Sequence, residues 1–239
     1  MKTVVYAGTR NLYRSMVSAS ISLLEHTPVD RIYFLIEDDT FPMELPEQIR
    51  TVNVSQQTYF PPSGPNSRTE FTYMAMMRVC YSKLFPKLNK ILQLDVDTIV
   101  TDDLSPLWEI DLEGKWFAAV HEAKSNYRPL GPKYYNIGVA MFNLKQIRKD
   151  HADDAAIRFL NEKRVSYIDQ DAWNILGQEA GKDAELPVRY NESIVTGSTN
   201  DPAVVHYAGY REWQNRSGMF RGEILEKYRD RTWEEILHG

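Results

Sequence analysis

The chain has 239 residues, 43% hydrophobic and 26% charged, enough for one large domain or two small ones. A net charge of −5 gives no strong nucleic-acid signal and does not favour an anionic membrane surface. A single cysteine, Cys80, excludes an intrachain disulfide and a cysteine-based zinc site, and makes a reducing cytoplasm the simplest setting.

The opening Met1 to Tyr6 is too short an apolar run for a signal peptide. No stretch approaches the ~20 apolar residues of a membrane span, so no transmembrane segment is expected. Thr3 to Ala7 reads as a first strand buried on both faces, and Gly8-Thr9-Arg10-Asn11 as a turn. A helix follows, with Met16, Val17, Ile21, Leu23 and Leu24 as its apolar side, ending near Pro28. Arg31 to Ile36 is a second strand; Pro42 and Pro46 break the chain before a weak third, Arg50 to Val54. Strands alternating with helices predict an α/β fold with a mostly parallel central sheet flanked by helices. Ligands of such sheets lie beyond the carboxyl ends of the strands. The turn-rich Pro61 to Ser67 reads as a connection more than a lid. Thr72 to Phe85 reads as one helix carrying Arg78, which taken alone would be solvated.

Ile91, Leu92 and Leu94 make a short buried strand that delivers Asp95 and Asp97 with one residue between them. Two carboxylates that close are costly unless neutralised, and oxygen ligands suit hard ions such as Mg²⁺ or Mn²⁺. On the pair alone, solvated acids at a strand end are the preferred reading, with Asp102 and Asp103 continuing an acidic turn. Gly8 to Asn11 and Asp95 to Asp97 would meet at one rim. Leu104 to Trp108 is a turn into a short segment, and Trp116 to Val120 another strand, ending in His121-Glu122 as rim residues or a polar stop. Tyr134 to Leu144 is a strand with Gly138 inside it, which suggests close approach of a ligand or another backbone. Asn136 could present its amide to a ligand or bond main chain. Gln146 to Leu160 reads as one amphipathic helix. In Asp169-Gln170-Asp171, Asp169 resembles an N-cap and Asp171 lies in the first turn; capping leaves Gln170 unexplained. Ala203 to Gly209 is a strand running into His206, and Gly222 to Leu237 a last surface helix.

The order Leu94-Asp95-Val96-Asp97-Thr98, Tyr135-Asn136-Ile137-Gly138-Val139, Asp169-Gln170-Asp171 and His206-Tyr207-Ala208-Gly209 resembles the family 8 glycosyltransferases, which include bacterial lipopolysaccharide galactosyltransferases and glycogenin. The resemblance runs from Val4 to about Trp213. It implies a GT-A (Rossmann-like) fold, a UDP-hexose donor, bound Mn²⁺ or Mg²⁺, and transfer of galactose or glucose with retention to a carbohydrate or other hydroxyl acceptor. It implies one domain over 1–239: a nucleotide-binding half (1–100), a donor-sugar and acceptor half (101–221) and the C-terminal helix (222–239). By resemblance Asp95, Asp97 and His206 bind metal, and Arg78 reaches the donor sugar and phosphates. Asn136 and Gly138 lie under the sugar, with Gln170 at its reacting face between Asp169 and Asp171. Ala7, Gly8, Thr9, Asn11 and Leu12 form the base pocket, and Val96, Gly209 and Arg211 also contact the donor. Acceptor contacts point to Tyr127 to Tyr134 and His121-Glu122.

The leaving diphosphate needs charge stabilisation, which a metal supplies as a Lewis acid. The carbonyl oxygen of Gln170 could steady an oxocarbenium-like sugar; as a poor nucleophile, it favours front-face attack. Two departures stand out. Thr9 and Arg10 occupy the positions of the family's first-loop acids, which bears on uridine selectivity. Glu212 stands where the family has a lysine on the pyrophosphate; Arg211, expected to face inward, or Arg216 or Arg10 would then compensate. A nucleotide-sugar-binding protein with degraded catalysis and a UDP-sugar hydrolase are the alternatives. A dinucleotide dehydrogenase is disfavoured, because Gly8 lacks the Gly-x-Gly-x-x-Gly loop.

Overall fold

The computed structural model describes residues 1–69, 71–123, 133–209 and 219–238. Strands β1 (Thr3–Ala7), β2 (Arg31–Ile36) and β3 (Ile49–Asn53) pair in parallel, with helix α1 (Tyr13–His26) joining the first two. β4 (Ile91–Leu94) lies parallel on the other side of β1, with Val5 opposite Gln93. After a turn, β5 (Thr98–Val100) leaves this sheet. β6 (Phe117–His121) and β7 (Tyr135–Phe142) are antiparallel to each other, and β7 is antiparallel to β4, with Leu94 opposite Val139. β8 (Asp183–Glu185) adds in parallel to β6. Among the described residues the result is a seven-stranded sheet of order β3-β2-β1-β4-β7-β6-β8. β5 pairs instead with β9 (Val204–His206) in a small antiparallel sheet that sets Thr98 opposite His206.

The α/β expectation holds, in mixed form: most strand pairs are parallel, and β7 reverses. Side chains alternate across the sheet, so neighbours such as Val4 and Val5 enter different cores. One face, with Val4, Tyr6, Phe34 and Leu92, packs on α1 residues Met16, Val17 and Ile21. The other, with Val5, Leu35, Ile91 and Phe142, packs on Met77, Tyr81, Phe159 and Trp173.

Several segments depart from the reading by sequence. Thr72 to Phe85 is not one helix: α2 (Tyr73–Met77) and α3 (Tyr81–Leu84) flank a 3-10 turn that holds Arg78. α4 (Pro106–Glu109) is the short segment after the acidic turn. Gln146 to Leu160 divides into α5 (Leu144–Asp150) and α6 (Ala152–Glu162), because His151 between them has a left-handed φ of 55°. In α7 (Ile168–Glu179), Asp169 is not the N-cap; that position is Tyr167. The C-terminal stretch forms α8 (Gly222–Tyr228) and α9 (Trp233–His238), and it is not merely superficial: Leu225, Tyr228 and Trp233 are buried, with the Trp233 indole donating to Ser20 Oγ at 3.1 Å. The loop at 61–67 is pinned through Asn66, whose amide donates to Leu160 O at 2.7 Å and Lys163 O at 2.8 Å, the carbonyls that end α6.

Candidate functional site

The site forms where β4 ends. The Asp95 N–H donates to Gly138 O at 2.7 Å, and Thr98 Oγ1 donates back to Asp95 O at 2.7 Å, which closes the turn into β5. The Tyr207 N–H donates to Asp97 O at 2.9 Å, so the end of β9 is fastened to the same turn. Asp95, Asp97 and His206 thus come together across two sheets, with one donor atom from each inside a span of 4.8 Å. His206 Nε2 lies 3.3 Å from Asp97 Oδ1 and 3.7 Å from Asp95 Oδ2. The histidine is buried, and the acids are about a quarter exposed. Burial disfavours the imidazolium, but Asp97 and then Asp95 outweigh it and raise the His206 pKa. Burial likewise opposes ionisation of Asp97, yet His206 holds its carboxyl below the usual range.

Gly138 explains the spacing. A Cβ there would sit 2.2 Å from His206 Cε1 and 2.8 Å from Asp95 Oδ2. The close approach read from sequence is real, but its partners are the side chains of the site itself. Two carboxylates and an imidazole, converging over a residue with no side chain, fit a divalent cation and leave further coordination positions open.

Arg78 lies between two acids, donating from Nη1 to Asp95 Oδ1 and from Nε to Asp169 Oδ2 at 2.7 Å. Its side chain is 15% exposed, which corrects the solvated reading. Burial opposes its charge, but Asp169 and Asp95 raise its pKa. Desolvation lifts the Asp169 carboxyl to about 6, against the pull of Arg78.

A second set of side chains is built from amides. The Ile137 N–H donates to Gln170 Oε1 at 3.0 Å, and Gln170 Nε2 donates to Glu122 Oε1 at 3.2 Å. Asn136 Nδ2 donates to the same Glu122 oxygen at 2.9 Å, and Asn136 Oδ1 accepts from the Gly138 N–H at 3.1 Å. Asn191 Nδ2 donates to Asn136 Oδ1 at 2.9 Å, and Asn191 Oδ1 meets His206 Nδ1 at 2.9 Å. The main-chain alternative for Asn136 is the one observed: its oxygen accepts from the Gly138 N–H, while its nitrogen is taken up by the protein's own Glu122 carboxylate. Asp171 is fully buried and turned elsewhere, accepting from Tyr134 Oη at 2.5 Å and from the Ser166 and Tyr167 N–H groups at 3.0 Å each. This geometry builds the start of α7, the task the sequence suggested for Asp169.

Parallel register carries Ala7 level with Asp95, so the first loop shares the rim. Gly8 N–H donates to Leu35 O at 3.2 Å, and Leu12 N–H to Thr9 O at 2.8 Å. Thr9 Oγ1 donates to Asn11 Oδ1 at 2.7 Å. Arg10 is drawn to Asp38 through Nε, at 3.1 Å, and Nη2. Val96 is buried beneath the turn, and Gly209 has a left-handed φ of 83° just past β9. Arg211, Glu212, Trp213, Arg216 and most of Tyr127 to Tyr134 lie outside the described residues.

Asn191 and the clamping role of Glu122 escaped the sequence reading. Asn191 follows a Pro-led turn with no periodicity to mark it, and its side-chain partners, Asn136 on β7 and His206 on β9, come only from tertiary structure.

The Glycosyl transferase family 8 model matches residues 3–216. Glycosyltransferase GlyD of Streptococcus pneumoniae is 27% identical over 99% of this chain, which spans 31% of that protein's length. Probable galacturonosyltransferase 12 of Arabidopsis thaliana is 45% identical over 66% of the chain, covering 36% of that protein. Among solved structures, galactosyltransferase LgtC in complex with donor and acceptor sugar analogs aligns over 95% of both chains, with a TM-score of 0.70 and 22% identity.

Proposed function

The chain belongs to glycosyl transferase family 8, and from that premise we propose that it moves a hexose, galactose or glucose, from a UDP-sugar to a hydroxyl acceptor with retention, using Mn²⁺ or Mg²⁺. The observation that carries this reading is the convergence of Asp95, Asp97 and His206 over Gly138. These three residues would hold the cation, which when bound supplies Lewis-acid stabilisation to the departing diphosphate. The galactose option draws on the likeness to LgtC, named as a galactosyltransferase.

This chain's own residues do the positioning. Arg78, fixed between Asp95 and Asp169, holds a permanent positive charge at the edge of the metal site. Gln170 is clamped at both ends of its amide, so Oε1 keeps one orientation, from which it would face the positive sugar. A carboxamide is a weak nucleophile, which favours front-face attack by the acceptor over a covalent adduct. Thr9 and Asn11 supply hydrogen-bonding groups at the base pocket. Arg10 is engaged with Asp38, so Arg211 or Arg216 is the better candidate for the cation that compensates for Glu212.

Incubation with a panel of UDP-sugars and simple sugar acceptors, scored for transferred and for free sugar, tests the reading. Transfer that stops in chelator and returns with Mn²⁺ is expected, and Asp97→Asn should lower turnover by about 10²–10³-fold. Release of free sugar alone would point to the hydrolase, and full transfer in excess chelator would remove the metal from the mechanism.

A further inference from the structure

The orientation of His206 is set from outside the metal site. The Gly138 N–H can only donate, so the Asn136 atom facing it is the oxygen. That oxygen also faces Asn191, so the Asn191 group directed at it is the amide nitrogen, which reaches Asn136 O as well at 3.4 Å. The Asn191 oxygen is thereby left facing His206 Nδ1 at 2.9 Å. An oxygen there accepts a hydrogen from Nδ1. The neutral ring then keeps its lone pair on Nε2, the atom that lies toward Asp97 and Asp95. The direction of every bond in this chain follows from one main-chain N–H.

Asn191 is fully buried, and its neighbours hold it firmly. Its carbonyl accepts from Thr196 Oγ1, and its own N–H donates to Val188 O at 3.0 Å. In the next residue, the Glu192 N–H donates to Val204 O at 2.9 Å, and Glu192 O accepts from the His206 N–H at 2.8 Å. Backbone and side chain thus lock the 191–192 segment to β9 in one register.

We propose that Asn191 is the positioning residue of the metal site, fixing the His206 ring so that Nε2 meets the cation. The inference rests on the metal reading of Asp95, Asp97 and His206. Ligand imidazoles that lose the acceptor on their other nitrogen typically lose 10–100-fold in metal affinity.

The test is calorimetric titration of Mn²⁺ into the parent, Asn191→Leu and Asn191→Asp, with the metal-free melting temperature of each. Asn191→Leu removes the acceptor at similar volume, and about a 10–100-fold weaker Mn²⁺ affinity is expected. Asn191→Asp keeps an oxygen opposite Nδ1 and should recover most of that affinity even if the metal-free protein melts lower. A merely structural role would lower both melting temperatures and leave the Mn²⁺ affinity of the folded protein unchanged. Parent-like affinity in Asn191→Leu overturns the proposal. If that variant does not fold, an Asn191→Asp protein that folds yet binds Mn²⁺ 10-fold or more weakly overturns it as well. A parent that takes up no Mn²⁺ overturns the metal reading, and with it any role for Asn191 toward a metal; uptake by the parent with no discrimination between the two variants overturns the positioning role alone.

Discussion

A single methyl group at position 138 would collide with two of the three proposed ligands at once, at 2.2 Å from His206 and 2.8 Å from Asp95. Neither can give way cheaply: His206 is buried and tied to Asn191, and Asp95 is held by Arg78. Gly138→Ala is therefore expected to cost about 1–3 kcal/mol in stability through overpacking. Its Mn²⁺ affinity should fall at least about tenfold, and parent-like titrations on a folded variant would contradict the account. Asp169 offers a pH test. Its folded pKa of about 6 lies above the ordinary carboxylate value, because burial favours the neutral acid. The folded state thus binds the proton more tightly than the unfolded one. The stabilisation is complete below pH ~4 and is lost as pH rises through ~6, by up to about 3 kcal/mol. Asp169→Asn cannot titrate, so without metal the parent's melting temperature relative to that variant should rise as the pH is lowered from ~6 to ~4. Identical pH profiles would count against the shift. At this scale the sequence exposed the acids, the glycine and the histidine, since each is an unusual residue in an apolar strand or at its end. Asn191 carried no such mark, because its meaning lies entirely in what it touches.

Among the elements, the least legible were the shortest. β5 and β9 have three residues each, too few for a periodic signal, yet their pairing brings His206 to Asp97. The two breaks in expected helices, at Arg78 and His151, are equally invisible to an apolar pattern that continues through them. The 3-10 turn tightens the chain at Arg78 and aims its guanidinium at two acids. β9 is braced from behind by Glu192, which is fully buried and accepts from Arg221 Nε at 3.1 Å and Nη2 at 3.0 Å. Arg221 also donates to Thr199 O at 2.8 Å, and its own carbonyl accepts from Tyr207 Oη at 2.9 Å. Arg221 is about a third exposed while Glu192 is fully buried, so Arg221→Ala removes the carboxylate's charged donor but lets water approach, and should lose about 1–3 kcal/mol. Urea denaturation checks this, and a loss under about 1 kcal/mol would mean that the pair behaves like an exposed one.

Over the whole molecule, the alternation of apolar strands and helices was enough to foresee an α/β sheet and a site at its rim. Strand direction was not foreseeable for β7, since an apolar run reads the same in either sense. The reversal matters: it brings Gly138 and Asn136 against the end of β4, where a parallel strand would have carried them to another level. Among the described residues of this rim, Asp95, Asp97, Asp169 and Glu122 outnumber Arg78 and Arg10, and the chain as a whole carries −5. A diphosphate would meet these carboxylates, so UDP binding should depend on the cation. Calorimetry of UDP is expected to give at least about a tenfold weaker affinity in chelator than with Mn²⁺, a gap of about 1.4 kcal/mol or more.

The most direct check on the central claim is an anomalous difference map from crystals grown with Mn²⁺ and UDP. The account requires a peak within coordination distance of Asp95, Asp97 and His206 Nε2, and its loss in crystals of Asp97→Asn. A map with no peak at that position, or one that Asp97→Asn leaves unchanged, would contradict it.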